Sequence, residues 1–190
     1  MEFILIRHLP TKWNNEQKLQ GKKDRKIASL SEEDEIIIRG NKEILKKLSP
    51  PDIVLTSTLQ RTKQTAEIYG YKAKEEPLLD EIDFGKFEGK TREEFLEEVG
   101  LQWFTNPKRT VLGKQIEDLE ERIQDFIEKY KQYDCVLIFG HGAWMRAFIS
   151  YIKNGHVIAM NLLSVKTNEL VHLVYQEKEE EDEKPENSRE

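Results

Sequence analysis

Apolar and polar positions fall in blocks along this chain, and the blocks carry two different periods. The runs "FILI" at 3–6, "DIVLT" at 52–56 and "CVLIF" at 135–139 are apolar without internal alternation. A strand of that kind is covered on both faces, the mark of a parallel sheet lying between helices. The intervals between the runs read as helices. Ser31 with Asp34 three residues later forms a capping-box signature, predicting a helix to about Leu48 before Pro50 and Pro51 stop it. Thr58 is the predicted cap of a second helix over Leu59–Tyr69, with Gly70 at its end. Ile116, Leu119, Ile123, Phe126, Ile127 and Tyr130 mark a third by their helical spacing. A fourth is predicted after "GHG", from Ala143 to about Ile152, and "LLSVKT" and "LVHLVY" read as two late strands joined at Asn168-Glu169. This order predicts an α/β fold, a three-layer α/β/α sandwich with a mostly parallel central sheet. No repeat interrupts it, and one domain is expected over residues 1–176.

Charge refines the picture at one end. Of 190 residues 35% are charged, and the net charge is −6. Residues 177–190 hold eight acidic and three basic side chains, so the remainder of the chain is close to neutral. That segment has no apolar residue to bury and is expected to be a disordered acidic tail. A near-neutral body with an acidic tail lacks the basic footprint of a nucleic-acid binder. Cys135 is the single cysteine, which excludes an internal disulfide. No apolar segment approaches the length of a membrane span or of a signal peptide, so a cytoplasmic protein is expected.

Candidate chemistry sits at three strand ends. Arg7 and His8 follow the first run, Arg61 falls in the first turn after the second, and His141 stands where the helix after the third begins. In α/β folds ligands bind beyond the carboxyl ends of the strands. Two helix N-termini with free backbone N–H groups would then meet two guanidiniums and two imidazoles, a setting for a doubly charged oxyanion such as phosphate. Taken singly, each of these residues is as well explained as a surface charge or a polar cap; their coincidence at three strand ends is what points to an anion. A metal is the other use of two histidines, but neither has a carboxylate at the helical i+3 or i+4 spacing of a ligand set.

The segments "LIRHLPTKWN", "TSTLQRTKQTAE", "LLDEIDFGKFEGKT" and "FGHGAWMRA" resemble, in order and spacing, the signature segments of the histidine phosphatase superfamily, whose fold is phosphoglycerate-mutase-like. The resemblance covers residues 2 to 175 and is weakest between 97 and 130. It implies a phosphatase for small phosphorylated metabolites that needs neither metal nor cofactor and works through a phosphohistidine. His8 is then the nucleophile, and Arg7, Arg61 and His141 form a phosphate clamp. Glu81 is the proton donor to the leaving oxygen and afterwards the base for water. Thr11, Asn14, Gln20 and Gly21 join the substrate-binding set. Neighbouring cations lower a histidine pKa and so keep the nucleophile neutral. Phe84 and Phe87, close to Glu81 in sequence, are expected to wall it from water. Both monomeric and homodimeric assemblies fit such a fold.

Two departures from the family pattern bear on this. Leu9 and Pro10 stand where the family has a small residue and often Glu, which implies either a narrower, more apolar pocket or a displaced His8. Lys114 stands in "GKQ" where Gly-Glu-Ser is common, either near the entrance or as an ordinary helix-start residue. Trp103 and Phe104, with Lys108 and Arg109, fall where relatives build a substrate lid. Two rival readings follow: a mutase that needs a phosphorylated primer, and a silent module that binds phosphorylated ligands.

Overall fold

The computed structural model describes residues 1–176; the acidic stretch 177–190, read from sequence as a disordered tail, lies outside the described residues. In chain order the elements are β1 (Glu2–Arg7), α1 (Lys12–Asn15), α2 (Glu32–Leu45), β2 (Ile53–Thr56), α3 (Gln60–Tyr69), β3 (Lys74–Glu75), α4 (Arg92–Val99), α5 (Gln102–Thr105), α6 (Gly113–Tyr130), β4 (Cys135–Gly140), α7 (Gly142–Asn154) and β5 (Leu170–Val174). The sheet order is β3-β2-β4-β1-β5, with every pair parallel except β1 with β5. The three apolar runs are thus the three central strands, and helices cover both faces.

Alternation along those strands sorts their side chains into two cores. Phe3, Leu5, Val136 and Ile138 pack on one face with Ile116, Leu119, Ile123 and Phe126 of α6 and with Trp144 and Phe148 of α7. Ile4, Ile6, Leu137 and Phe139 pack on the other with Ile38 of α2 and Ala66 and Tyr69 of α3. This is the predicted three-layer sandwich. No helix among the described residues is long and apolar enough to cross a membrane.

Three local readings are corrected. "LLSVKT" is not a strand: Met160–Leu162 form a 3-10 turn and the chain then runs irregularly to Asn168. Its Val165 carbonyl accepts a 2.6 Å hydrogen bond from Arg7 Nη1 rather than from a neighbouring strand. Asn168 has a φ of 63°, which ends any extended run before β5 begins. Thr58 does not cap α3. Its hydroxyl and backbone N–H both reach the Asp80 carboxylate, at 2.9 and 2.8 Å, and the helix begins one residue later than expected. The helix after Ser31 has the capping box as read, but ends at Leu45 and continues as turns.

Candidate active site

The parallel ladder between β1 and β4 pairs Arg7 with Gly140, so the next residues, His8 and His141, emerge side by side. Their ring centroids lie 5.4 Å apart and both side chains are buried. The His8 backbone N–H donates to Gly140 O at 2.9 Å, and Asn168 N–H bonds the carbonyl of Arg7 at 3.0 Å. One residue on, Leu9 N–H donates to Thr65 Oγ1 at 2.9 Å. The strand end that carries His8 is therefore fixed by three other elements.

The rings are wired differently. His8 Nδ1 lies 2.7 Å from its own neighbour's carbonyl, Leu9 O, and can only donate there. That proton assignment leaves Nε2 with its lone pair and no partner among the described residues. His141 instead accepts from Arg61 Nε at Nδ1 (3.2 Å) and donates from Nε2 to Ser57 Oγ (2.7 Å). The Ser57 hydroxyl passes its own proton to Thr62 Oγ1, 2.9 Å away, which in turn donates to Leu59 O. Burial pushes both histidines well below the usual imidazole value, and the charges of Arg61 and Arg7 push them further. Both are neutral at physiological pH.

Arg61 donates to Lys23 O at 2.8 Å and Gly21 O at 2.7 Å besides His141, which leaves two of its five N–H groups for a ligand. Arg7 gives Nη1 to Val165 O, while its buried Nε has no partner among the described residues. Gly142 makes room for it: a Cβ there would stand 3.0 Å from Arg7 Cζ. Burial lowers the pKa of both guanidiniums, and the charge of Glu81 opposes the shift.

Glu81 is buried on a turn held by its neighbours. Asp80 binds Thr58, and Arg122 Nη1 donates to the carbonyls of Leu78 (3.2 Å) and Asp80 (2.7 Å). The Glu81 carboxylate accepts from Ala143 N (2.9 Å), Trp144 N (3.0 Å) and Ile82 N (3.1 Å). It thus occupies the N-terminus of α7, where the helix dipole favours an anion. At the start of α3, Leu59 N–H goes to Ser57 Oγ and Gln60 N–H to Asp24 Oδ1. The expectation of two free helix N-termini facing phosphate therefore holds only in part: Gly142 N–H, on the cavity wall, has no acceptor among the described residues, but the N–H groups of Ala143, Trp144, Leu59 and Gln60 are taken. Side-chain oxygens from this chain fill those positions, and the guanidiniums are left as the principal anion donors.

These groups enclose a cavity of about 90 Å³, lined by Arg7, His8, Asn14, Gln20, Gly21, Arg61 and Glu81 together with Lys18, Leu19, Phe84, Gly142, Ala143 and Arg146. Four cations and one carboxylate face it. Asn14 Oδ1 accepts from Thr11 N–H at 2.9 Å, so its amide N–H₂ is the end left for a ligand. Thr11 is buried behind this wall, and its hydroxyl joins Asn14 to Gln20 without lining the cavity. His141 likewise stands one layer behind, touching the cavity through Arg61. Gly21 has a φ of 52°, and a Cβ there would lie 2.9 Å from Ile82 O, so the loop that receives Arg61 requires glycine.

The departures resolve simply. Leu9 is fully buried in the second core with Ile4 and Ile38, lines neither cavity wall and leaves His8 beside His141. Lys114 is exposed and paired with Asp118 at 2.6 Å, one helical turn on, as a helix-start residue. Phe84 lines the cavity with Glu81, whereas Phe87 packs edge-on against Phe95 at 5.0 Å inside the core. Trp103 lines an adjoining outer chamber, while Lys108 pairs with Glu120. Arg146 and Lys18 were missed by the sequence reading. Arg146 had a signal, since it follows Gly142 and Ala143 by four and three positions and so shares their face of α7.

Comparison with known proteins agrees with this geometry. The family model of the histidine phosphatase superfamily (branch 1) matches residues 3–187. The chain is 32% identical over 159 residues to the uncharacterized phosphatase PhoE of Bacillus subtilis (strain 168), covering 80% of this chain and 77% of that one. It is 32% identical over 158 residues to the fructose-2,6-bisphosphatase of Saccharomyces cerevisiae, covering 79% of this chain but only 34% of that longer protein. The solved structure of an open reading frame from Mycobacterium tuberculosis shares the fold with a TM-score of 0.76 at 22% identity, covering 93% of this chain and 92% of that one. With its two strand-end imidazoles, paired guanidiniums and matching sequence, the chain belongs to the histidine phosphatase superfamily, branch 1.

Proposed function

We propose that this protein hydrolyses small phosphomonoesters, without a metal ion, through a phosphohistidine formed on His8. The observation that carries the reading is the wiring of His8: Nδ1 is held by Leu9 O, and Nε2 is left neutral and unbonded among Arg7, Arg61 and Glu81. Nε2 attacks phosphorus in line with the ester oxygen, and the P–O bond breaks as the P–N bond forms. Arg7, Arg61 and the Asn14 amide take the charge on the three transferring oxygens, supplying by fixed position the stabilisation that a metal supplies elsewhere. Glu81 gives its proton to the departing alkoxide, and the N–H groups of Ala143 and Trp144 hold the carboxylate that remains. In the second half, Glu81 takes a proton from water as its oxygen attacks phosphorus. The P–N bond breaks, the electron pair returns to His8 Nε2, and phosphate leaves.

The test is a rapid-quench experiment with radiolabelled substrate in excess chelator, stopped in detergent and base. Label on the protein that is stable to base, labile to acid and absent from His8→Ala is expected, together with steady release of phosphate. Turnover that needs added divalent metal, or that survives in His8→Ala, sinks the reading. Release of an isomerised ester in place of phosphate would mark a mutase. Label or ligand bound without any release would mark a silent binding module.

A further inference from the structure

Arg7 depends on one short segment of chain at two levels. Its guanidinium donates from Nη1 to Val165 O at 2.6 Å, and its backbone N–H donates to Glu169 O at 3.1 Å. Between those two acceptors, Asn168 N–H returns bonds to the carbonyls of Arg7 (3.0 Å) and His8 (3.3 Å). Residues 163–168 belong to no strand or helix, so no backbone ladder of their own holds them. Something else must fix the segment if Val165 O is to aim a cation.

That support converges on Asn168. It is fully buried, and its φ of 63° lies in the left-handed region, which glycine enters without strain. Asparagine also tolerates this region, and here it brings a side chain that glycine lacks. Its Oδ1 accepts from the Tyr69 hydroxyl, and its Nδ2 donates to Asp34 O at 3.2 Å. Asn41 Nδ2 donates twice, to Tyr69 Oη at 2.9 Å and to Asn168 O at 2.8 Å. Asn41, Tyr69 and Asn168 therefore close a ring of hydrogen bonds that joins α2, α3 and the segment behind Arg7. All three side chains are buried and uncharged, so each donor needs its partner. Burial raises the Tyr69 hydroxyl to about 12, which keeps its proton available to Asn168. Arg61 and Tyr69 are the second and last residues of α3, so one helix carries one guanidinium directly and supports the other through Asn168.

We propose that Asn168 is a positioning residue for Arg7. With Asn41 and Tyr69 it clamps the segment 163–168 against the end of β1, and Val165 O then holds the Arg7 guanidinium at the inner cavity. None of the three side chains lines that cavity or the outer chamber, so each acts through Arg7 rather than on a ligand. The proposal rests on the reading of Arg7 as a phosphoryl ligand.

A double-mutant cycle tests it. Asn168→Gly keeps the left-handed backbone and removes the side chain. Arg7→Lys keeps the charge and removes the Nη1 that donates to Val165 O. On phenyl phosphate, well below the melting temperature of each variant, Asn168→Gly is expected to lower kcat/KM roughly tenfold or more, the scale of a misplaced binding group. In the Arg7→Lys background the same change is expected to cost less than about twofold, because the group it positions is already gone. Tyr69→Phe, which removes one hydroxyl, follows the same pattern and takes the place of Asn168→Gly if that variant does not fold. Nitrogen NMR of Arg7 gives the direct readout. Separate Nη1 and Nη2 signals are expected in wild type, since the bond to Val165 O hinders rotation about Cζ–Nε, and they merge in Asn168→Gly. Wild-type turnover in Asn168→Gly, an equal loss in both backgrounds, or unchanged Arg7 signals overturns the proposal. The NMR signature needs no turnover, so it judges the positioning of Arg7 even where phenyl phosphate is not hydrolysed and the phosphatase reading has failed.

Discussion

His8 and His141 are the same residue type, equally buried, at the ends of neighbouring strands, yet one ring has a free nitrogen and the other has none. His8 satisfies Nδ1 against its own backbone, so Nε2 faces the cavity unbonded. His141 is bonded at both nitrogens, to Arg61 and to Ser57, and serves to aim Arg61. Burial and shared cations keep both rings neutral, so charge does not distinguish them; hydrogen bonding does. In the proposed reaction, the imidazole with one partner fewer than its neighbour is the one that acts as nucleophile.

The largest effect that sharpens this contrast is on turnover. His8→Ala is expected to lower kcat by about 10⁴-fold or more, as loss of a nucleophile does. His141→Ala is expected to cost on the order of 10²-fold, the scale of a misplaced oxyanion donor. Steady-state kinetics on phenyl phosphate measures both, and equal losses would erase the distinction.

Acid sensitivity treats the two rings alike. Both have folded pKa values below the ordinary 6.5, while the unfolded chain keeps that value. Below pH 6.5 the unfolded state therefore binds two protons that the folded state refuses. The contribution of these rings to stability is intact above that pH and is lost as pH falls toward the folded values, by up to about 2.7 kcal/mol per pH unit for two protons. Denaturation midpoints from pH 7 to pH 5 should fall less steeply in His8→Asn/His141→Asn than in wild type. Nitrogen NMR of the imidazoles should find both neutral at pH 6, and Arg61→Met should raise both values. A ring that titrates near 6.5 in wild type would contradict the assignment.

The smallest effect is the most selective. Ser57→Ala removes the acceptor of His141 Nε2–H and leaves His8 untouched, so kcat should fall roughly tenfold or less, about 1 kcal/mol. The His141 ring resonances should shift while those of His8 stay in place. Movement of both would mean that the rings are coupled as one unit.

Much of this was legible in the sequence. Unbroken apolar runs announced the three central strands, because a strand buried on both faces has no polar positions to confuse the reading. The residues at their ends, Arg7, His8, Arg61 and His141, followed from where the runs stop. "LLSVKT" misled because Leu163 and Val165 alternate like a strand while serving as a cavity wall, and period alone does not report where the carbonyls go. β3 is two exposed residues and carries no apolar signal. α4 was signposted by Thr91 and Glu94, a capping box hidden in a glutamate-rich stretch. The carboxylates on the helix N-termini were unreadable in principle. Asp24 and Glu81 come from 36 and 62 residues away, and only the assembled fold brings them there.

The ladder that pairs Arg7 with Gly140 has a consequence for how this protein can change. Side chains along a strand switch faces at every step, so deleting one residue from β1 or β4 would send one imidazole to the far side of the sheet. The distance between the two rings is thus inherited from strand register. Specificity is free to drift in the surrounding loops, but the strands that carry the histidines can vary only by substitution, never by length.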